Sequence, residues 1–227
     1  MGREFGAGKY LSLWVFGIAF GYIEAAVVVY LRAVLETEDT GLFPLSTALG
    51  ERSGWYLSVE TYRELATLVL MLVPALLVSR AKSFRLLSCA LIFAVWDLSY
   101  YFFLQLTLDW PRTLFTYDVL FLIPTVWVAP VLCPILISAA MAGFSTVLMY
   151  LGRHRSLRTV SPMHWLPLAT GAILMLYAFM AEADYFLAGG LPPRFPWWPF
   201  GIGFALALLA VTHFTYSVAR QDRTRFR

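Results

Sequence analysis

The chain has 227 residues, of which 60% are hydrophobic and only 14% are charged. Soluble domains carry roughly 25% charged and about 45–50% apolar residues, so this composition excludes an ordinary soluble domain. The net charge is only +3, and we expect membrane lipids rather than nucleic acid to surround the chain. We therefore predict one all-α transmembrane domain, a polytopic helical bundle over residues 1–227.

Six apolar runs are long enough for the roughly 20 residues that a spanning helix needs. In chain order they are 10–35, 60–79, 84–108, 117–151, 163–187 and 199–218. The first run is too long for a signal peptide and ends in acidic residues rather than at a cleavage site, so we interpret it as a permanent helix.

The fourth run, 117–151, is too long for one simple span, because a helix of that length measures roughly 50 Å. It contains Pro124, Pro130 and Pro134, and prolines inside a helix favour kinks. The run can be two short helices or one long, bent helix, and charge decides between them. With one bent helix, all four basic clusters lie on the side that the positive-inside rule makes cytoplasmic. The clusters are Arg3/Lys9, Arg80/Lys82/Arg85, Arg153/Arg155/Arg158 and Arg220/Arg223/Arg225/Arg227.

The sequence thus predicts six spans, a long proline-kinked fourth helix and cytoplasmic N- and C-termini in a bacterial inner membrane. With this topology, twelve of the 14 acidic residues fall in the membrane or outside it. A solvated surface explains the four acids of the first outer loop, which are Glu36, Glu38, Asp39 and Glu51.

Other acidic residues lie too deep for that explanation. Glu24 and Asp97 fall near the middle of the first and third predicted helices. A carboxylate at such depth costs at least ~2.5–3.5 kcal/mol unless it is paired, protonated or hydrated. Glu64 and Asp118 lie near the outer ends of the second and fourth predicted helices. We predict that these four residues form an outward-facing polar site.

Arg32 and Tyr101 are the expected supporting groups of this site. Each acid also has a structural interpretation. Asp118 and Glu60 at helix N-termini can favour the helix dipole, and Glu64 can pair with Arg32 or Arg63. Glu24 and Asp97 can bond an arginine or a tyrosine across helices.

Two spacings support a polar interior. Asp97, Tyr101 and Gln105 recur every four residues, which places them on one helix face as a polar stripe. Gly17 and Gly21 form a small-xxx-small pair one turn before Glu24, and such pairs let a second helix approach closely.

The nature of the residues limits the cofactors. Oxygen ligands without thiolate or imidazole favour a hard divalent cation such as Mg²⁺ or Ca²⁺, with Glu24, Glu64 and Asp97 as candidate ligands. His164 and His213 admit a bis-histidine haem. We do not expect haem, because a lone interfacial histidine is more often a headgroup or backbone contact.

Four strings together resemble an uncharacterised family of small polytopic bacterial inner-membrane proteins. They are Glu24-Ala-Ala-Val-Val-Val-Tyr-Leu-Arg32, Arg63-Glu64-Leu-Ala-Thr-Leu, Trp96-Asp97-Leu-Ser-Tyr-Tyr101, and Trp110-Pro111 followed by Asp118-Val-Leu-Phe-Leu-Ile-Pro124. The resemblance covers roughly the first two-thirds of the chain. It implies bacterial origin and no particular activity.

Two hypotheses for function remain. In the first, the carboxylate site binds a proton or metal cation, or acts on a lipid-borne substrate. In the second, the chain is an accessory subunit of a larger respiratory or photosynthetic membrane complex. Its polar groups then join helices, and its aromatic surfaces contact partner subunits, quinone, pigment or lipid.

Overall fold

The computed structural model describes residues 5–34, 53–153, 157, 162–187 and 194–220. Seven helices and two strands form this part of the chain. They are α1 (Ala7–Val34), α2 (Ser53–Val78), α3 (Lys82–Leu108), β1 (Tyr117–Phe121), β2 (Trp127–Pro130), α4 (Leu132–Gly152), α5 (Pro162–Met180), α6 (Ala183–Leu187) and α7 (Trp197–Arg220). The four outer-loop acids at 36, 38, 39 and 51 lie outside the described residues.

The prediction of six helices long and apolar enough to cross a membrane is confirmed. These stretches are Ala7–Ala33, Ser58–Val78, Lys82–Leu108, Leu132–Gly152, Trp165–Tyr185 and Trp197–Arg220.

The long proline-kinked fourth helix is wrong. The first half of the run 117–151 forms an antiparallel β-hairpin of β1 and β2, and only Leu132–Gly152 is helical. Tyr117–Phe121 and Trp127–Pro130 are rich in aromatic and β-branched residues, which favour strands. Pro124 falls in the loop between the strands, and Pro134 falls in the first turn of α4, where proline costs no helix hydrogen bond.

The two ends of the bundle differ in charge. The basic end is where α1 begins and α2 ends, since Lys9 Nζ donates to the carbonyl oxygen of Val78 at 2.9 Å. It carries the described basic residues Lys9, Arg80, Lys82, Arg85, Arg153 and Arg220. The opposite end holds the β-hairpin, and we call it the hairpin end. Every described acidic residue lies in the half of its helix that is nearer the hairpin end, or in the connections at that end.

Helix α3 is the centre of the bundle, where it packs against α1, α2 and α4. Its close approach to α1 depends on the glycine pair predicted from sequence. A Cβ on Gly17 would lie 2.8 Å from Val95 Cγ1, and one on Gly21 would lie 2.7 Å from both Ser99 Cβ and the Trp96 carbonyl oxygen. The helix expected near Glu24 is therefore α3.

A second close approach joins α5 to α7 and has no counterpart in the sequence analysis. A Cβ on Gly171 would lie 2.5 Å from the Gly203 carbonyl oxygen, and one on Gly203 would lie 2.6 Å from the Gly171 carbonyl oxygen. Because neither glycine has a side chain, the backbones of α5 and α7 lie in contact at this point. The α5–α7 pair joins the remaining helices through α4 and the hairpin.

Gly21→Ala should destabilise the α1–α3 contact, because the new methyl group meets a backbone carbonyl that cannot move aside. We expect a loss of about 1–3 kcal/mol in unfolding free energy, measured by SDS titration in mixed micelles. The matched control is Gly143→Ala, where a Cβ meets nothing within 4 Å. That variant should be neutral or slightly stabilising, by up to about 1 kcal/mol. Equal stability of the two variants would contradict this account of α1–α3 packing.

Candidate binding site

The β-hairpin enters the bundle from the hairpin end and reaches the middle of α3. The Phe121 ring stacks on the Phe93 ring with centroids 6.2 Å apart, and Phe93 lies near the midpoint of α3. In a membrane interior, non-helical backbone is tolerated only where protein or water satisfies its polar groups. The hairpin therefore needs hydrogen-bond partners from the helices around it.

Glu64 on α2 supplies one of these partners. The backbone N–H of Leu122, just after β1, donates to Glu64 Oε2 at 2.9 Å and to Oε1 at 3.2 Å. Glu64 is only 7% exposed. Its carboxyl group thus accepts from the backbone at the end of β1. It forms no ion pair with the described Arg32 or Arg63, the two partners that the structural interpretation had allowed.

Arg63 instead joins two other acids. Its guanidinium forms ion pairs with Glu24 of α1 and Glu60 of α2, the latter through Nε and Nη2. Thr67 Oγ1 donates to the second oxygen of Glu24 at 2.7 Å. Glu24 is therefore a paired carboxylate that joins α1 to α2, which agrees with the structural interpretation of this residue.

The last two acids bond to hydroxyl groups. Ser138 Oγ of α4 donates to Asp97 Oδ2 at 2.8 Å, which ties α4 to α3. Tyr101 Oη of α3 donates to Asp118 Oδ2 at 2.9 Å, and the Val119 N–H donates to the other oxygen. This second pair ties the hairpin to α3. Tyr101, an expected supporting group, thus hydrogen-bonds one of the four predicted acids.

All four predicted acids line one cavity of about 290 Å³ between α1, α2, α3, α4, α5 and the hairpin. Its lining, from the described residues, includes five carboxyl groups and one guanidinium. The carboxyl groups belong to Glu24, Glu60, Glu64, Asp97 and Asp118, and the guanidinium to Arg63. Arg63 forms ion pairs with Glu24 and Glu60. In the described part of the chain, the hydrogen-bond donors to Glu64, Asp97 and Asp118 are therefore all neutral.

Aromatic rings form much of the remaining wall. Phe93, Phe121, Trp127 and Phe179 follow one another in contact, with centroid distances of 6.2, 5.2 and 6.3 Å. Trp96 adjoins Phe93 at 5.4 Å and is 9% exposed. The indole N–H groups of Trp96 and Trp127 find no acceptor within the described part of the chain.

Two residues of the prediction lie elsewhere. Arg32 does not line the cavity; its guanidinium lies over the Trp110 ring, 4.9 Å from the centroid, and its Nη2 has no hydrogen-bond partner among the described residues. Gln105 is exposed and donates to Asp109 Oδ1 at 2.7 Å. The polar stripe of α3 therefore ends at Tyr101, one turn earlier than expected.

The capping interpretations of Glu60 and Asp118 are wrong. Helix α2 begins at Ser53, so Glu60 lies two turns inside it, and Asp118 lies on a strand. In the described residues, no three His, Cys, Asp or Glu side chains come close enough together to hold a metal ion. The expected set of Glu24, Glu64 and Asp97 shares the cavity without converging. His213 is exposed on α7, and the side chain of His164 lies outside the described residues.

The partners Arg63, Thr67 and Ser138 were missed as parts of the site. Thr67 follows Arg63 by four residues, and this spacing places both on the face of α2 that meets Glu24. Ser138 carries no such signal, because its contact with Asp97 depends on how α4 packs on α3.

Asp118 is the acid of this site that lies outside the six long helices. Burial in apolar surroundings raises its pKa to about 7, while the hydrogen bonds from Tyr101 and from the Val119 amide, and the charge of Arg32, oppose this rise. Its proton is therefore gained or lost near neutral pH.

Comparison with protein families, with curated proteins and with solved structures gives no match. The resemblance to small bacterial inner-membrane proteins accordingly stays a prediction.

Arg63→Ala should destabilise the bundle, because it leaves two carboxylates without a counter-charge. We expect a loss of about 3 kcal/mol, at the low end for a buried pair, since the Arg63 side chain is 30% exposed. Unfolding of the purified protein in mixed micelles measures it. Arg194→Ala, an exposed arginine at the same end, should change stability little.

The stability that is lost in Arg63→Ala should be partly recovered when the two unpaired acids are also made neutral. Arg63→Ala combined with Glu24→Gln and Glu60→Gln should recover part of the lost stability, because no unpaired charge remains buried. If the triple variant is as unstable as Arg63→Ala, the loss reflects packing of the arginine stem rather than its charge.

Proposed function

We propose that this protein binds a small ammonium group, in competition with protons, at a carboxylate site inside its membrane bundle. The observation that carries the proposal is the imbalance of charge around the cavity. Glu64, Asp97 and Asp118 are each at most 8% exposed, and no cationic side chain of the described residues forms an ion pair with them.

Because these carboxyl groups are buried, their ionised forms require a compensating positive charge. An isolated carboxylate in an apolar medium is costly unless a proton or another cation compensates it. The donors around the three groups, a serine, a tyrosine and two backbone amides, orient the carboxyl groups but bring no full charge. A cationic ligand in the cavity supplies the positive charge that these donors lack.

The walls favour an ammonium over a metal ion. Among the described residues, the acids surround the cavity without forming a ligand set for one ion, whereas Ca²⁺ takes about six to eight oxygen ligands at short range. Aromatic faces attract ammonium groups through their quadrupoles, by roughly 0.5–2 kcal/mol each. Phe93, Trp96 and Trp127 offer such faces beside the carboxyl groups.

The orientation and location of the protein are part of the proposal. The positive-inside rule makes the basic end cytoplasmic, so that the hairpin end and the acidic cavity lie toward the outer side of a bacterial inner membrane.

Tetramethylammonium should bind saturably to the protein in lipid nanodiscs at pH 8.5, as followed by tryptophan fluorescence. Trp96 and Trp127 on the cavity wall are the reporters. Asp97→Asn should weaken binding by about tenfold or more, because a buried charge pair is lost. Glu182→Gln, an acid that does not line the cavity, is the matched control and should bind as the wild type does.

Acidification should weaken the same binding, because a protonated carboxyl group no longer attracts the cation. Asp118 has a pKa of about 7, so affinity should be full above that pH and fall as pH decreases through it. The slope approaches about tenfold per pH unit for one competing proton. No saturable binding at pH 8.5, or equal binding by Asp97→Asn and Glu182→Gln, would overturn the proposal. Stoichiometric partner subunits in a gentle purification would instead favour an accessory role.

The proposed orientation can be checked with fusions to the C-terminus. A green fluorescent protein fusion should fluoresce and an alkaline phosphatase fusion should be inactive, because only the first reporter matures in the cytoplasm. The opposite pair of results would place the basic end outside and invalidate the positive-inside assignment.

A further inference from the structure

A second cavity of about 420 Å³ lies toward the basic end, between α3, α4, α5 and α7. Its lining consists of aliphatic and aromatic side chains apart from two serines, and it includes no charged residue. Leu86 and Trp165 on its lining are 59% and 48% exposed. The cavity therefore faces the lipid side of the bundle between α3 and α5.

The two cavities adjoin each other. Ile137 of α4 and Met175 of α5 line both of them. Along α4, the lining passes from Pro134 and Ser138 in the acidic cavity to Phe144 and Leu148 in the apolar one. Residues 134 to 148 span about 21 Å of helix. The acidic cavity and the apolar cavity therefore lie end to end along α4, with Ile137 and Met175 between them.

We propose that the natural ligand is an amphiphile with a cationic head, an ammonium group carried by a hydrocarbon chain. This inference rests on the proposed cation site and names its class of ligand. The head lies among Glu64, Asp97 and Asp118, and the tail lies in the apolar cavity. Charge complementarity decides the sign of the head, since three buried acids there have no ion-pair partner in the described chain.

The tail contributes access and selectivity more than affinity. Lipid is as apolar as the cavity, so transfer of a hydrocarbon chain between them releases little free energy. The apolar cavity instead lets the ligand enter sideways from the bilayer between α3 and α5. The carboxyl groups then supply the affinity for the head.

The test compares dodecyltrimethylammonium with tetramethylammonium on protein in nanodiscs. Ala140, on the lining of the apolar cavity, is changed to Leu; its neighbour Ala139, exposed and outside both cavities, receives the same change as the matched control. Ala140→Leu should weaken dodecyltrimethylammonium binding about tenfold by overfilling the cavity, whereas tetramethylammonium binding stays unchanged. Ala139→Leu should affect neither ligand. Partition of dodecyltrimethylammonium into the nanodisc lipid is the same for all variants, so it cancels when their affinities are compared.

The outcomes separate the two proposals. Retained tetramethylammonium binding also shows that Ala140→Leu is folded; if it is lost, the smaller change Ala140→Val is used. If tetramethylammonium binds and Ala140→Leu leaves dodecyltrimethylammonium binding unchanged, the tail site is wrong and the cation site stands. If neither ammonium ligand binds the wild-type protein, both proposals are wrong.

Discussion

The structure depends on the hydrogen-bond requirements of a β-hairpin placed inside a bundle of apolar helices. Helices satisfy their own backbone, but a two-stranded sheet leaves N–H and C=O groups at its edges and ends. Glu64 accepts from the Leu122 amide, and Tyr101 binds the hairpin through Asp118. Polar side chains at this depth are therefore required by the backbone before any ligand is considered.

This requirement has an electrostatic consequence. Carboxyl groups are efficient acceptors for backbone and hydroxyl donors, but each brings a charge that neutral donors do not cancel. The site contains one guanidinium within ion-pair distance, that of Arg63, and it is shared by Glu24 and Glu60. Glu64, Asp97 and Asp118 thus hold the fold together and at the same time create a cavity that favours positive charge. The structural role of these acids and the binding role that we propose for them are compatible, because both use the same geometry.

The helices around the site explain why the cavity persists. Gly17 and Gly21 bring α1 against α3, whereas Gly171 and Gly203 bring α5 against α7. Gly21, Gly171 and Gly203 each lie against the backbone of the facing helix, whereas Gly17 lies against the Val95 side chain. These contacts set how closely the paired helices approach. The hairpin occupies the space between the two helix groups at one end, and the apolar cavity occupies it at the other.

The sequence alone determined the class of the protein, its six long apolar helices and the glycine contact beside Glu24. These follow from composition, run length and the spacing of small residues, which are local properties of the chain. It also pointed to the cavity-lining residues Glu24, Glu64, Asp97 and Asp118, because a carboxyl group is conspicuous in an apolar run, and to Tyr101 through its spacing from Asp97. The tertiary structure decided that residues 117–130 form a hairpin, since strand pairing depends on the neighbours that satisfy it. It likewise decided which donor each acid meets, that Arg32 lies apart and that Arg63 is the shared cation, because these contacts join residues far apart in the chain.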